Sequence, residues 1–439
     1  MHLRHWLCLF LLLLFSRPLP AQEIREYMDL QTHPTMHMAY GFFGKGLQFF
    51  DESEPPTLSH KHLFTNVNHA NYLQNNSGAR IVVTGAILPE VLVRKKRARQ
   101  RILDQINFVN DFAAANPDHF AVARSPQEVR DLIHNTHKTV FIHSIEGGKR
   151  LLDGPEDARF WADQGVAFIT LIHLMDDEFG GAAVLPDLTT KVINYKAAFK
   201  KIFRKRKPRG LTEKGKQAIQ WLADAGIMTD LTHMSDQSRT DALAYMAAHD
   251  IPPLVTHDMF KPLHNHPRGI PEDELRQIYR MGGLVSLPLS GASCQLHHPE
   301  SRYQARVDEL PRHCPGSIDS YVFTYEVVKE VVEESVVELE GGKSFLDLSE
   351  SEKVDFAIGF QSDFNGWVNH HRPRVGEDGC FEEEAGVEYE AVEQEGMAHP
   401  GLLESHWRLM EQEGADLEPI RRASEKFLQL WERFLDNKQ

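Results

Sequence analysis

Histidines and carboxylates close or follow five short apolar segments of this sequence. These polar residues are His143, Glu146, His173, His233, His257 and Asp363. Neutral imidazole nitrogens and carboxylate oxygens are donors that suit zinc, and a catalytic zinc keeps one position open for water. The metal lowers the pKa of that water toward about 7, which makes it a nucleophile at neutral pH. One such residue is usually structural, but five polar segment ends together predict metal-assisted hydrolysis.

Strand-like and helix-like segments alternate through most of the chain. The predicted strands are 23–30, 80–87, 139–143, 167–173, 226–233, 253–257, 283–288 and 354–360. The predicted helices are 98–114, 126–135, 155–164, 212–225, 236–249, 271–281 and 319–338. This alternation implies a parallel sheet, and the length favours a closed (β/α)8 TIM barrel of class α/β over a doubly wound open sheet. A barrel would gather the polar strand ends at one rim, in a single domain over residues 22–439 with inserted loops and C-terminal helices.

The composition excludes some classes of partner. The 439 residues carry 48 Lys and Arg against 63 Asp and Glu, a net charge of −15 that argues against general nucleic-acid binding.

Two basic runs, 94–101 and 200–209, are predicted as solvated helix faces, with an anion-binding or membrane-surface patch as the alternative. The acidic stretch 377–395 is predicted as an exposed, poorly ordered loop.

The N-terminal segment 1–21 has the pattern of a secretory signal peptide. Its apolar run is too short to span a bilayer, and no later stretch predicts a transmembrane segment. We therefore expect a secreted or periplasmic protein. Among Cys294, Cys314 and Cys380, an oxidising compartment permits one disulfide. Cys294 and Cys314 are nearest in sequence, but the pairing stays open.

Four motifs support a family resemblance that covers the chain from about Met28 to the final helix. They are SIEGG at 144–148, GLTEKG through TDLTHMS at 210–235, THDMFKPLHNHPRGIP at 256–271 and AIGFQSDFNG at 357–366. In their order and spacing the chain resembles the membrane (renal) dipeptidase family of zinc metallopeptidases, within the amidohydrolase superfamily. The resemblance implies a barrel with a binuclear zinc site that hydrolyses dipeptides, often with a D-residue or dehydro residue at the C-terminal position.

The metal ligands implied by the resemblance are complete on one side only. Glu146 matches the carboxylate that bridges both metals, and His233 and His257 match the imidazoles of the second metal. The family usually has His-x-Asp after the first strand, whereas Gln31 and His33 occupy these positions here. Because an amide oxygen is a poor zinc ligand beside imidazole, we expect one tight zinc and a weak or empty first site. The alternative for Gln31 and His33 is a hydrogen-bonded strand end that binds no metal.

Three further residues match roles in substrate binding and catalysis. His173 matches the histidine that polarises the scissile carbonyl, and Asp363 the acid/base that moves the proton between water and leaving amine. Arg268 matches the arginine that binds the substrate's free carboxylate, for which the guanidinium fork is well suited.

Three functions fit these residues. The first is a zinc dipeptidase with a dipeptide-like substrate. The second is an amidohydrolase that acts on another amide or ester, such as an N-acyl amino acid or a lactone, although Arg268 argues against neutral lactones. The third is a non-catalytic binding protein on the same scaffold, which the Gln31 and His33 change suggests and Asp363 opposes. Related proteins are often dimeric, so the resemblance suggests a homodimer.

Overall fold

The computed structural model describes residues 23–40, 46–62, 68–75, 77–90, 93–184, 209–291, 295–296, 298–310, 313–343 and 347–438. The predicted signal peptide, Cys294 and nearly all of the basic run 200–209 lie outside these residues. Within the described part of the chain, no helix is long and apolar enough to cross a membrane.

A closed parallel barrel forms the centre of the molecule. In chain order, the strands are β1 (Tyr27–Thr32), β2 (Leu47–Gln48), β3 (Asn68–His69), β4 (Ala79–Ile87), β5 (Phe120–Ala123), β6 (Thr139–Glu146), β7 (Val166–Thr170), β8 (Met228–Asp230), β9 (Leu254–Val255), β10 (Leu284–Pro288) and β11 (Gly359–Gln361). The barrel order is β4-β1-β11-β10-β9-β8-β7-β6, and the β4–β6 pairing closes it. The (β/α)8 prediction is confirmed, and the open doubly wound sheet is wrong.

Two smaller pairings add to the barrel. β5 pairs with the first half of β6, and β7 pairs with the second half of β6 along the same edge. β2 and β3 form a separate parallel pair. Neither pairing was expected from the alternation of segments. The barrel strands read as continuous apolar runs because both faces are covered: β6 and β7 are buried along their whole length.

Helices cover the outside of the barrel and one of its ends. The α-helices are Met36–Tyr40, Ala70–Asn75, Lys95–Ala115, Pro126–Asn135, Pro155–Asp163, Glu213–Ala225, Asp236–Ala248, Glu272–Arg280, Ser301–Asp308, Ile318–Leu339, Glu350–Lys353, Ala391–Glu395, Leu403–Gln412, Glu418–Arg421 and Ala423–Asp436. Short 3-10 helices lie at Val354–Phe356 and Pro400–Leu402. All seven predicted helices form, with ends within a few residues of those expected.

Side-chain caps explain why several helix starts were readable from sequence. Ser125, Thr212 and Ser235 each accept a hydrogen bond from the backbone N–H three residues ahead. Such caps satisfy donors that would otherwise lack a partner at the helix N-terminus. Gly226 ends its helix with φ 82°, a left-handed conformation that glycine adopts without a steric penalty.

The final helix closes the barrel end opposite the polar strand ends. It packs against β1, β8 and β10, and the Phe427 ring lies 6.2 Å from that of Phe168. Glu425 on this helix accepts a hydrogen bond from the Ile24 backbone N–H, just before β1, and forms a buried ion pair with Arg130. These contacts tie the two ends of the described chain together below the barrel.

The structure corrects one expectation about local structure and settles a cysteine pairing that the sequence left open. The predicted strand 354–360 begins with a 3-10 turn, and only Gly359–Gln361 joins the sheet. Cys314 is bonded to Cys380, not to its nearer neighbour Cys294. The acidic stretch 377–395 is exposed in its middle, as expected, and is attached near its ends by this disulfide and by the helix Ala391–Glu395. The folded chain brings distant segments together, and nearness in sequence does not reveal which cysteines meet.

Candidate active site

Glu146 is the centre of a buried cluster at the carboxyl end of the barrel. It is the last residue of β6, and its Oε1 lies 3.1 Å from Nε2 of both His233 and His257. His173, which follows β7, has its Nε2 3.5 Å from the same oxygen. Each histidine comes from a different strand end, so the barrel brings together residues that are far apart in the sequence.

Glu146, His233 and His257 have the donor set of a metal site. One donor atom from each residue lies within 4.8 Å of the others, and all three side chains are buried. It is the single such cluster of three or more donors in the part of the chain that the structure describes. Two imidazoles and a carboxylate leave a coordination position open, as in catalytic zinc sites.

A hydrogen-bond chain prepares His257 to bind a metal. Its Nδ1 lies 2.8 Å from Thr256 Oγ1, which in turn lies 2.8 Å from Asp230 Oδ2. Asp230, as a carboxylate, only accepts, so the Thr256 hydroxyl donates to it and accepts from the His257 Nδ1–H. The Nε2 atom of His257 then carries the lone pair that a metal requires.

Asp230 is the final acceptor of the hydrogen-bond chain that orients His257. It is fully buried and accepts hydrogen bonds from the hydroxyls of Thr170, Thr232 and Thr256. It also accepts from the backbone N–H groups of Thr232 and Thr256. Sequence reasoning missed Asp230, although an acid inside the apolar segment GIMTDLTH was a usable signal.

His33 takes part in the cluster in a different way. Its Nδ1 lies 2.9 Å from the Gly85 carbonyl oxygen and therefore carries the proton, while its Nε2 lies 3.2 Å from Glu146 Oε2. Gln31 Nε2 is also 3.2 Å from this nitrogen, whereas Gln31 Oε1 is buried without a hydrogen bond. Of the two residues that differ from the family's usual His-x-Asp, His33 thus contacts Glu146, and Gln31 contacts His33.

Charges inside the cluster shift several pKa values. Burial disfavours the charged form of Glu146, but the surrounding histidines outweigh it and hold its pKa well below the usual range. Burial lowers the pKa of His173 to about 4, against the attraction of Glu146. Burial likewise lowers the pKa of His233 strongly, with further repulsion from Arg268. Burial would also lower the pKa of His33, but Glu146 and Asp363 together raise it to about 10.

Asp363 reaches the cluster from the loop after β11. Its Oδ1 lies 3.2 Å from His33 Nε2, and its backbone N–H donates to the Gln31 carbonyl. Asp363 has φ 52° and His233 has φ 67°, a left-handed conformation that is rare for residues with a side chain. Such strain concentrates at functional sites, where the surrounding structure enforces it.

Two neighbours hold Asp363 in place. A methyl group added to Gly366 would lie 1.7 Å from Asp363 Oδ1, so only glycine allows the carboxylate to fold back over this turn. Asp29, buried on β1, accepts hydrogen bonds from the backbone N–H and the hydroxyl of Ser362. Burial raises the pKa of Asp29 to about 7. Sequence reasoning did not assign a role to Asp29.

Arg268 lies in the loop after β9 with its guanidinium held in place. Its Nε donates to Asp258 Oδ1 at 2.9 Å, and its Nη2 donates to the His257 carbonyl. Nη1 donates to none of the described residues, which leaves it for an anionic ligand. Asp258 is fully buried and was also missed, although it directly follows His257.

The structure thus brings every predicted site residue but His143 to the Glu146 cluster or to its edge. His143 lies within β6 rather than at its end, and its nitrogens face Thr84 Oγ1 and Asn110 Oδ1 at 3.0 Å. Because side chains alternate along a strand, His143 and Glu146 point to opposite faces. Of these two polar residues of β6, only Glu146 therefore reaches the cluster.

Comparison with protein families and curated sequences identifies relatives. A model of the membrane dipeptidase family, peptidase family M19, matches residues 48–315. An uncharacterized dipeptidase of Schizosaccharomyces pombe is 26% identical over 212 residues, which cover 48% of this chain and 45% of that protein. Mouse dipeptidase 3 is 26% identical over 188 residues, covering 43% of this chain and 34% of that protein. The chain spans less than half the length of these relatives.

Solved structures share the fold at low sequence identity. The dipeptidase AC, a metallopeptidase of family M19, superposes with a TM-score of 0.60 at 15% identity, covering 94% of this chain and 99% of that one. A Rhodobacter sphaeroides metallopeptidase, solved with a phosphinate mimic of the dipeptide L-Ala-D-Ala, gives a TM-score of 0.58 at 14% identity with the same coverage.

Proposed function

Because the chain belongs to the membrane dipeptidase family, peptidase family M19, we propose that it is a metallo-dipeptidase that hydrolyses dipeptides with a free C-terminal carboxylate. The observation that carries the proposal is the convergence of His173, His233 and His257 on one oxygen of Glu146. Acid/base and carboxylate-binding residues lie on loops beside this cluster, which is the set that peptide hydrolysis needs.

Zinc is the metal that we propose, held by Glu146, His233 and His257. The donor set and the His257 tautomer fit a zinc ion, which would supply a Lewis acid and a water of lowered pKa. We propose a single tight site. Beside it, Gln31 contributes no good ligand, and the Nε2 of His33 faces two carboxylates at 3.2 Å, the contact expected of an imidazolium.

Side chains of the protein would bind the substrate, stabilise the developing negative charge and transfer the proton. Arg268 binds the substrate carboxylate through the guanidinium edge that Asp258 leaves free. The imidazole of His173, neutral at pH 7 because of its lowered pKa, donates a hydrogen bond to the scissile carbonyl oxygen as negative charge develops there. Asp363 accepts a proton from the attacking water at Oδ1 or Oδ2 and returns it to the leaving amine.

Export from the cytoplasm is part of the proposal. The segment 1–21 predicts a signal peptide, and the Cys314–Cys380 disulfide fits an oxidising compartment, either extracellular or periplasmic.

Metal content and a substrate panel test the proposal together. We expect purified protein to hold zinc and to release both amino acids from L-Ala-L-Ala or L-Ala-D-Ala. Hydrolysis of N-acetyl-alanine without hydrolysis of either dipeptide would instead support the second candidate, an N-acyl amino acid amidohydrolase. Metal-free protein that hydrolyses none of these compounds, even after zinc is added, would contradict the proposal and favour a binding protein.

A further inference from the structure

Glu90 is a buried carboxylate that the proposed mechanism does not use. It lies three residues beyond the end of β4, and its residue exposure is 6%. Neither of its carboxylate oxygens has a hydrogen-bond partner among the described residues. Buried carboxylates are normally paired or hydrogen-bonded, so an unpaired one indicates a ligand.

The Glu90 carboxylate lies directly beside the proposed reaction centre. A methyl group added to Gly147, the residue after Glu146, would lie 3.0 Å from Glu90 Oε1 and 3.6 Å from His173 Cβ. Gly147 has φ 101° and no side chain, which allows this close approach. The Leu174 backbone N–H, just after His173, is also close to Glu90, although it does not form a hydrogen bond of normal geometry.

The missing ligand is a cation. Burial, followed by the negative charge of Asp177, raises the pKa of Glu90 to about 8. Asp177 Oδ2 is itself buried without a hydrogen-bond partner, so two buried acids with unpartnered oxygens share this corner of the site. The charge of Lys149 acts to lower the pKa of both carboxylates, but its Nζ contacts Met175 Sδ at 3.0 Å and forms an ion pair with neither. A positively charged ligand would relieve the repulsion between the acids.

The position of Glu90 around the barrel identifies which part of a substrate carries that cation. Arg268 follows β9 and Glu90 follows β4. On one side of the barrel β8, β7 and β6 lie between these two strands, and β7 and β6 lead to His173 and Glu146. A dipeptide with its carboxylate at Arg268 and its scissile bond at Glu146 therefore directs its N-terminus toward Glu90.

We propose that Glu90 binds the free α-ammonium group of the substrate's N-terminal residue, an inference that rests on the dipeptidase function proposed above. The pair Arg268 and Glu90 would then recognise both ends of an unblocked dipeptide. Peptides blocked at the N-terminus would be poorer substrates, because they offer Glu90 no ammonium group with which to pair.

A substrate that lacks only the amino group tests the inference. L-Ala-L-Ala and propionyl-L-alanine differ by this amine alone. For the unmodified protein we expect kcat/KM to be about 10–100-fold higher for L-Ala-L-Ala, the range of a hydrogen bond between charged groups. In Glu90→Gln this preference should largely disappear through a lower kcat/KM for L-Ala-L-Ala, while Glu90→Asp should retain part of it. Glu178→Gln, the same change in the loop after β7, should leave the preference unchanged.

Each outcome separates the inference from the proposed function. If the unmodified protein hydrolyses both compounds equally well, the dipeptidase function stands and Glu90 does not bind the amine. If Glu90→Gln reduces both rates by the same factor, Glu90 has a structural role and the inference is overturned. If Glu90→Gln fails to fold, the comparison within the unmodified protein can still overturn the inference, and Glu90→Asp tests whether the preference depends on Glu90. Absence of dipeptide hydrolysis in the unmodified protein would instead overturn the proposed function.

Discussion

His33 Nε2 lies 3.2 Å from Oδ1 of Asp363, the proposed acid/base. The same nitrogen lies 3.2 Å from Glu146 Oε2, so a single imidazole links the proposed metal ligand to the proposed proton carrier. The Nδ1 of His33 faces the Gly85 carbonyl, which leaves Nε2 to face the two carboxylates. A positive charge on His33 would therefore be paired with both carboxylates.

The first prediction concerns the number of metals. We expect about one tightly bound zinc per chain, because Glu146, His233 and His257 form a complete ligand set and Gln31 adds no good donor. The double change Gln31→His with His33→Asp should raise the content toward two. Elemental analysis of protein dialysed against metal-free buffer measures it. Two tightly held zinc ions in the unmodified protein would show that His33 and Gln31 coordinate after all.

Asp363→Asn should remove most of the activity and leave metal binding intact. The asparagine amide has nearly the same shape but cannot accept and return a proton, so we expect kcat to fall by about two to four orders of magnitude. Steady-state kinetics with zinc content measured in parallel checks this. Asp378→Asn, the same change at a surface turn, serves as the control. A near-normal kcat in Asp363→Asn would remove Asp363 from the mechanism.

Arg268→Lys should raise KM for dipeptides about 10–100-fold, because lysine keeps the charge but loses the planar fork. The change also removes the hydrogen bond from Nε to Asp258, which fixes the guanidinium. Dipeptides amidated at the C-terminus provide the control, since they lack the carboxylate that Arg268 is proposed to bind. If amidated and free dipeptides are cleaved equally well by the unmodified protein, Arg268 has another role.

Asp230→Asn should weaken zinc binding without removing a ligand. Asparagine would offer an N–H group to a site where Asp230 accepts only, so the Thr256 hydroxyl would lose its acceptor and could donate to His257 Nδ1. This change would move the imidazole proton to Nε2, where the metal binds. Loss of a group behind a ligand typically lowers metal affinity about 10–100-fold. Competition with a chelator measures the zinc affinity, and Asp224→Asn on the helix surface is the control. Equal zinc affinities in the unmodified protein, Asp230→Asn and Asp224→Asn would contradict the role of Asp230.

Stability should depend on the ion pair between Arg130 and Glu425, whose side chains are 4% and 6% exposed. Arg130→Met would leave Glu425 buried without its cation and should lower the free energy of unfolding by about 3–5 kcal/mol. Arg408→Met, at an exposed pair with Glu390, should cost at most about 1 kcal/mol. Denaturant titration at neutral pH measures both changes, and equal values would contradict a special role for the buried pair.

The same pair predicts a pH dependence. Burial alone would raise the pKa of Glu425, but Arg130 and the Ile24 N–H outweigh it and lower that pKa. The folded state therefore holds this proton less tightly than the unfolded state. The stabilisation is complete above the unfolded pKa and is lost as the pH falls through the lowered folded pKa. The difference between the unmodified protein and Arg130→Met should shrink on acidification, which denaturant titrations at decreasing pH can follow.

The sequence alone was sufficient for the barrel and for the strand-end positions of most residues of the candidate site. The helical segments could be located from sequence because helix signals depend on neighbours three or four residues away; Ser125 and Thr212, which cap two of these helices in the structure, are signals of this local kind. The strand-end positions of Glu146, His173, His233 and His257 follow from the same local pattern, since parallel strands end at one rim.

Only the tertiary structure decided which side chains meet. His143 and Glu146 share a strand, yet the alternation of faces turns His143 toward Asn110 and away from the cluster. Asp230 contacts Thr170 at the end of β7 and Thr256 after β9, and Glu90 lies beside Gly147 after β6. Asp258 meets Arg268 through the path of the loop after β9, and Cys314 pairs with Cys380 across 66 residues. These contacts depend on strand register and loop path over long sequence separations, and a linear pattern does not contain that information.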